Sequence, residues 1–176
     1  MTLTADNDHF GLFGLPRRYE IDLAALEKAW LAVSSQVHPD RYATATPAAK
    51  RVAMQWAARA NEAYRVLRNP LARARYLCES QGVDLQVETN TAMSPAFLMQ
   101  QLEWREQLDD ARQDKDAAAL EALAQELAQA RDAAQVRLTV LLDQQNDVAA
   151  AAKAVREWMF LEKLEQEVES VRHDSA

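Results

Sequence analysis

The chain has 176 residues, 49% hydrophobic and 27% charged, which is the balance of a globular protein with room for one sizeable core or two small ones. The single Cys excludes an internal disulfide and a Cys-type zinc site, and only three Gly and five Pro favour helices over sheets. The net charge of -7 is uneven: residues 1–80 carry 11 Lys+Arg against 8 Asp+Glu, and residues 81–176 carry 9 against 19, with no basic run or basic-aromatic stripe to suit a nucleic acid.

The first thirty residues contain acidic side chains and no apolar h-region, and no stretch approaches the roughly 18 apolar residues of a spanning helix. A cytoplasmic location is expected. Long runs of Ala, Leu, Glu, Gln and Arg predict an all-α fold. Phe10 to Pro16 is an apolar, turn-prone opening, read as one short docking helix. Asp22 is the predicted N-cap of a helix whose inner face is Leu23, Leu26, Trp30, Val33 and Val37. Pro39 has no amide hydrogen and pushes His38 out of the α region, so this helix should stop near Val37. Asp40 favours a turn or cap. Thr46-Pro47 then opens a second helix, with Val52, Trp56, Ala60, Ala63 and Leu67 as its predicted inner face, ending before Asn69-Pro70. Two such helices joined by a short loop should lie antiparallel. A further helix is expected from Leu71 to about Gln81, closed by Gly82 and carrying Cys78 as a small apolar filler.

Residues 82–94 lose helical periodicity and are read as a linker. Ser94-Pro95 opens a new helix by cap and first-position proline. Leu120, Leu123, Leu127, Ala130, Ala134, Leu138 and Leu141 stripe the next, and Gln144 to Asp147 supply a stop and a cap. Val155, Trp158, Leu161, Leu164, Val168 and Val171 stripe the last. Short connections make these three an up-down bundle. In the helix opened by Ser94, with about 100° per residue and Phe97 at zero, Gln101, Trp104, Leu108 and Ala111 lie within roughly 40° and form the core face. Leu98, Leu102 and Met99 fall at roughly 100°, 140° and 200°, with Glu106, Asp110 and Glu103 at about 180° to 240°. This second apolar patch, edged by carboxylates, is read as an exposed partner site; the plain alternative is a wide core contact. Phe160 also lies off the core stripe of its helix.

For His38 and Asp40 the plain alternative is an ordinary interhelix turn. Catalysis is disfavoured because no nucleophile or third member lies near in sequence, and a metal because His9 and His173 sit at the chain ends. Recognition by a preorganised loop remains.

Phe10-Gly11-Leu12-Phe13-Gly14-Leu15-Pro16, His38-Pro39-Asp40 and Asn61-Glu62-Ala63-Tyr64-Arg65-Val66-Leu67-Arg68-Asn69-Pro70, at these separations, resemble a J domain. Pro70-Leu71-Ala72-Arg73-Ala74-Arg75-Tyr76-Leu77 and Phe97-Leu98-Met99-Gln100-Gln101-Leu102-Glu103-Trp104-Arg105-Glu106 resemble the HscB-type co-chaperones of iron–sulfur cluster assembly. The resemblance implies a J domain over residues 8–81, a linker over 82–94 and a scaffold-binding bundle over 95–172. It also implies a non-enzymatic function without a cofactor: binding an IscU-type scaffold, delivering it to a DnaK-type chaperone (HscA) and stimulating that chaperone's ATPase. His38, Pro39, Asp40, Arg41, Lys28 and Arg18 would face the chaperone. Leu98, Met99, Leu102, Glu103, Glu106, Asp110 and Phe160 would face the scaffold. The alternatives are a general J-domain co-chaperone for unfolded clients and an all-α adaptor with no ATPase partner. Two departures stand out: the helix before His38 offers only Lys28 where many J domains are strongly basic, and Val37 stands where an aromatic is common. The N-terminal Cys-pair module of some members has no counterpart here, so no metal is expected there.

Overall fold

A computed structural model describes residues 8–85 and 93–174. The described residues are helical with no strand. They divide between Leu77 and Cys78 into two compact units. Of the segment 82–94 read as a linker, residues 86–92 lie outside the described residues.

The first unit begins with α1 (His9–Leu12), where the Asp8 carboxylate accepts from the Gly11 amide at 2.7 Å. α2 (Leu23–Gln36) starts at the expected cap, Asp22, which accepts from Ala24 and Ala25. α3 (Pro47–Arg68) starts at Thr46, whose hydroxyl accepts from Ala49 at 3.2 Å. α2 and α3 pack together, with Trp30 stacked on Tyr64 at 4.4 Å and its Nε1–H donating to Asn61. Leu26 and Val33 of α2 and Ala53, Ala60, Ala63 and Leu67 of α3 are buried. Two expected inner residues are not: Val52 is 51% exposed and Leu23 is 54% exposed. The reason is angular. Counting back from Ala60, Val52 is about 80° off the seam while Ala53 is about 20° off, so the small residue is buried and the branched one left out. Leu23 is the first residue of its helix and lies about 60° from Leu26.

α4 (Pro70–Glu79) follows, and Gly82 takes the left-handed φ of +83° shortly after its end. In α4, Arg73 is 5% exposed and inserts between elements far apart in sequence. It donates at 2.6 Å to the carbonyls of Tyr19 and Leu67, and its guanidinium lies 4.9 Å over the Tyr19 ring. Tyr76, one turn on, stacks on His9 at 4.3 Å and accepts its backbone N–H. The α1–α2 connection is therefore fastened to α4 by a buried cation.

The second unit contains α5 (Pro95–Asp114), α6 (Ala117–Thr139) and α7 (Val148–Asp174). Ser94 caps α5 and Asp116 caps α6, while between them Lys115 closes α5 in the left-handed region at φ +53°. The expected core stripes of α6 and α7 are buried, except that Ala130 and Ala134 are half-buried. α6 does not stop cleanly: Val140–Gln144 form a π turn before Asn146 at φ +51° and the Asp147 cap of α7. Cys78 is fully buried, and burial first, with the neighbouring Glu79 second, pushes its thiol up to about 11.

Two outcomes follow from this packing. Arg73→Ala leaves two buried carbonyls without their donor and should cost about 2–3 kcal/mol in urea unfolding. The Cys78 thiol should resist alkylation at pH 8 in the native protein and react on unfolding. Because its folded pKa of about 11 exceeds the reference 9.0, the stability of its neutral burial is complete below pH 9 and lost as pH rises toward 11.

Candidate partner-binding sites

The His38 turn is built by its backbone. α2 ends at Gln36, and the Val37 N–H still reaches the Val33 carbonyl at 3.2 Å. His38 then swings to φ -60°, ψ 136°, the extended region that a following proline demands. Pro39–Tyr42 coil as one 3₁₀ turn, closed by the Arg41 N–H on the His38 carbonyl at 3.0 Å. The His38 imidazole caps it: Nδ1 accepts from the Asp40 N–H at 3.3 Å. Accepting there places the neutral ring's proton on Nε2, and the same Nδ1 lies 3.5 Å from the Asp40 carboxylate. The Tyr42 hydroxyl donates to the Gln36 carbonyl and ties the end of the turn back to α2. Val37, 4% exposed, anchors it below.

The carboxylate of Asp40 is 92% exposed and the imidazole of His38 59%. Such a solvated pair contributes little to stability. What the fold supplies is an exposed carboxylate and, 3.5 Å from it, a largely exposed imidazole whose Nδ1 caps the turn. That arrangement suits recognition. Among the described residues no group of His, Cys, Asp and Glu could hold a metal ion.

Of the other residues expected beside this turn, Arg41 lies within it and is exposed. Lys28 is exposed on α2, ten residues before His38, or about 15 Å along the axis. Arg18 precedes α2 and is 3.6 Å from Glu20. It sits at the opposite end of that helix from His38, about 20 Å or more away along the axis. The structure thus gathers His38, Pro39, Asp40 and Arg41, and leaves Arg18 apart.

On the bundle, α5 separates its two faces as the helical wheel predicts. Trp104, Leu108 and Ala111 are buried, while Leu98, Met99 and Leu102 are 45%, 62% and 61% exposed. Glu103, Glu106 and Asp110 are exposed beside them. Phe160 reaches this patch from α7. Ser94 bonds Glu157 at 2.9 Å and Arg105 pairs with Glu167 at 3.3 Å, so α5 and α7 run parallel in near-equal register. Interpolation puts Phe160 level with Leu98. On α7, Phe160 is within about 20° of Glu167; on α5, Leu98 is within about 20° of Arg105, so the two apolar side chains flank one seam. The Phe160 ring is half-buried with the Lys163 ammonium 5.7 Å above it. Leu98, Leu102 and Phe160 therefore form one apolar strip. Met99 and Glu103 lie further round α5, away from α7.

One feature of the turn has no counterpart in the sequence reading. Behind Pro39 lies a cavity of about 350 Å³ bounded by Val37, Tyr42, Ala53, Met54 and Ala57. The signal was present as alanines at 53 and 57, four apart, on the side of α3 that faces the turn.

A helical hairpin with a His-Pro-Asp turn, followed by a three-helix bundle, defines a J-domain protein with an appended C-terminal domain. A family profile described as "HSCB C-terminal oligomerisation domain" matches residues 93–169. A co-chaperone protein HscB homolog of Bordetella avium is 64% identical over 96% of this chain and 99% of its own length, and one of Burkholderia multivorans is 55% identical over 92% of each. Chaperone HscB from Vibrio cholerae, a solved structure, matches with TM-score 0.82 and 35% identity over 97% of this chain and all of its own. Human co-chaperone protein HscB has the same fold, with TM-score 0.87 at 22% identity over 95% of this chain and 83% of its own. The chain belongs to the HscB co-chaperone family.

Because Leu98, Met99 and Leu102 face solvent, changing all three to Ala should leave the melting temperature within about 3 °C of the parent, as surface substitutions do. A drop of the size core truncations give would place them in the core.

Proposed function

We propose that the protein is a non-enzymatic co-chaperone of iron–sulfur cluster assembly, working in the cytoplasm with two partners at two ends. The bundle binds an IscU-type scaffold through Leu98, Met99, Leu102 and Phe160, with Glu103, Glu106 and Asp110 setting orientation and on-rate. The turn of His38, Pro39, Asp40 and Arg41 faces a DnaK-type chaperone of the HscA kind and stimulates its ATP hydrolysis. Lys28 lies on the approach to that turn; Arg18 would contribute only to long-range steering.

The observation that carries the reading is the state of Asp40: a carboxylate 92% exposed, on a backbone fixed by Pro39 and by the His38 cap. A carboxylate this exposed, on a fixed backbone and approached only by the His38 imidazole at 3.5 Å, stabilises the fold little and is preorganised for an external partner. The exposed apolar strip on α5 and α7 supports the second half in the same way.

The partition has a direct test in which scaffold binding is measured by calorimetry and ATP hydrolysis by steady-state assay. Asp40→Asn, which keeps shape and removes charge, should abolish stimulation while scaffold affinity stays at the parent value. Leu98, Met99 and Leu102 changed together to Ala should weaken scaffold binding by about tenfold or more, since each loses the order of a kilocalorie of apolar contact. Loss of both activities in the Asp40 variant would sink the division of labour.

A further inference from the structure

The bundle holds an apolar recess of about 310 Å³ bounded by side chains of α5, α6 and α7. Its origin lies in the stripe of α6. Leu120, Leu123, Leu127 and Leu138 are buried there, but Ala130 and Ala134 stand between them, where the repeat calls for bulk. Small side chains at two successive core positions leave space that the surrounding backbone only partly closes. Ala133 on α6 and Ala154 on α7 widen it. Trp104 and Trp158, each 4% exposed, line it from α5 and α7, and Phe97 meets Trp104 edge to face at 6.3 Å.

The polar groups around this recess are unequally occupied. Glu157 is engaged at the start of α5, where its Oε1 accepts from the Ser94 amide at 3.1 Å and from the Ser94 hydroxyl at 2.9 Å. Glu126, one turn before Ala130 on α6, accepts from the Trp104 indole at 2.8 Å. Gln100 donates to Glu103 at 3.3 Å. Arg137, the cation of the lining, is exposed, and its side chain has no hydrogen bond or ion pair among the described residues. The nearby carboxylates are thus taken, and a guanidinium is left over beside two indoles.

We propose that this recess binds a small aromatic monocarboxylate, with the ring against Trp104 and Trp158 and the carboxylate paired with Arg137. The volume is that of about ten liquid waters, which one ring with a short acid tail fills. Indole and phenyl walls take a ring edge-on or offset. A guanidinium takes a carboxylate through two parallel N–H donors, and with Glu126 and Glu157 engaged the remaining charge favours an acid over an amine. A protein segment is the poorer occupant. On the α5 side, Gln100 continues into Glu103 and Gln107, both exposed, so the apolar surface ends at the rim instead of spreading into a patch. The strip at Leu98 and Leu102 lies on the other side of the same helix, Gln100 being about 160° from Leu102.

The test is a titration of the isotope-labelled full-length protein with 3-phenylpropanoate, followed through the indole N–H signals of its four Trp. Those of Trp104 and Trp158 should move and saturate with a dissociation constant below about 1 mM, while those of Trp30 and Trp56 stay in place. Arg137→Gln, at an exposed position, should weaken the acid about fivefold and leave the uncharged 3-phenylpropanol unaffected. Ala130→Leu, which restores bulk to the stripe, should abolish binding of both. Signals of Trp104 and Trp158 that are unmoved at about 10 mM, or all four moving alike, would overturn the site. An alcohol bound as tightly as the acid, or an Arg137→Gln protein that keeps the parent affinity for the acid, would overturn the ligand class. If Ala130→Leu fails to fold, Ala133→Leu at the exposed edge takes its place. A filled recess that weakens scaffold binding in calorimetry, in a protein whose parent ignores the acid, would assign the recess to a protein partner and reject the proposal.

Discussion

The organisation of the first unit follows from one steric constraint, the proline at position 39. Its ring denies the preceding residue the helical region, so α2 must end and His38 must extend. An extended His38 followed by a fixed φ makes a tight 3₁₀ turn the shortest way to reverse direction, and the imidazole falls within reach of the Asp40 amide at 3.3 Å. Everything distinctive about this end then follows in order. The chain reverses, α3 pairs with α2, Asp40 is left in water, and the turn stands off the alanines of α3 to leave a pocket. Proline acts here by what it forbids: with a residue free to stay helical, α2 could continue and neither the turn nor the pocket would form.

The second unit depends on the mismatch between what a helix presents and what a bundle can cover. α5 carries apolar residues around more than half its circumference, and two neighbouring helices can bury only part of that. Trp104, Leu108 and Ala111 go inward, with the Trp104 indole donating to Glu126 of α6 at 2.8 Å. Leu98, Met99 and Leu102 remain outside. The parallel run of α5 and α7, registered by Ser94 with Glu157 and Arg105 with Glu167, extends the uncovered strip to Phe160. The electrostatics of the two units also differ, with a positive start to α3 in the first and a carboxylate edge on α5 in the second. This asymmetry suits two different partners better than one.

Much of this is legible in the sequence. Asp22, Thr46, Ser94 and Asp147 declare helix starts through the chemistry of a side-chain oxygen followed by an apolar repeat, and all four cap as expected. The stripe of α7 from Val155 to Val171 is buried as read. On α3 the failure has a geometric cause: spacing of four accumulates error. Val52, Trp56 and Ala60 drift about 40° per step, which turned Val52 outward and hid Ala53, and with it the pocket. Arg73 could not be assigned from sequence, because a buried cation is decided by carbonyls at Tyr19 and Leu67, distant in the chain or beyond a helix break. The π turn at Val140–Gln144 likewise lacks a local sequence rule.

By itself, then, the sequence determined the helical class, where helices begin and break, and which face of α5 stays exposed, because caps, proline sterics and the 3.6-residue period are local physics. The tertiary structure alone decided which residues meet across elements. It brought Arg105 on α5 to Glu167 on α7, buried Arg73 and opened the space behind Pro39. Those outcomes depend on the register and rotation of one helix against another. Both are fixed by the packing of many side chains at once, and no window of sequence contains them.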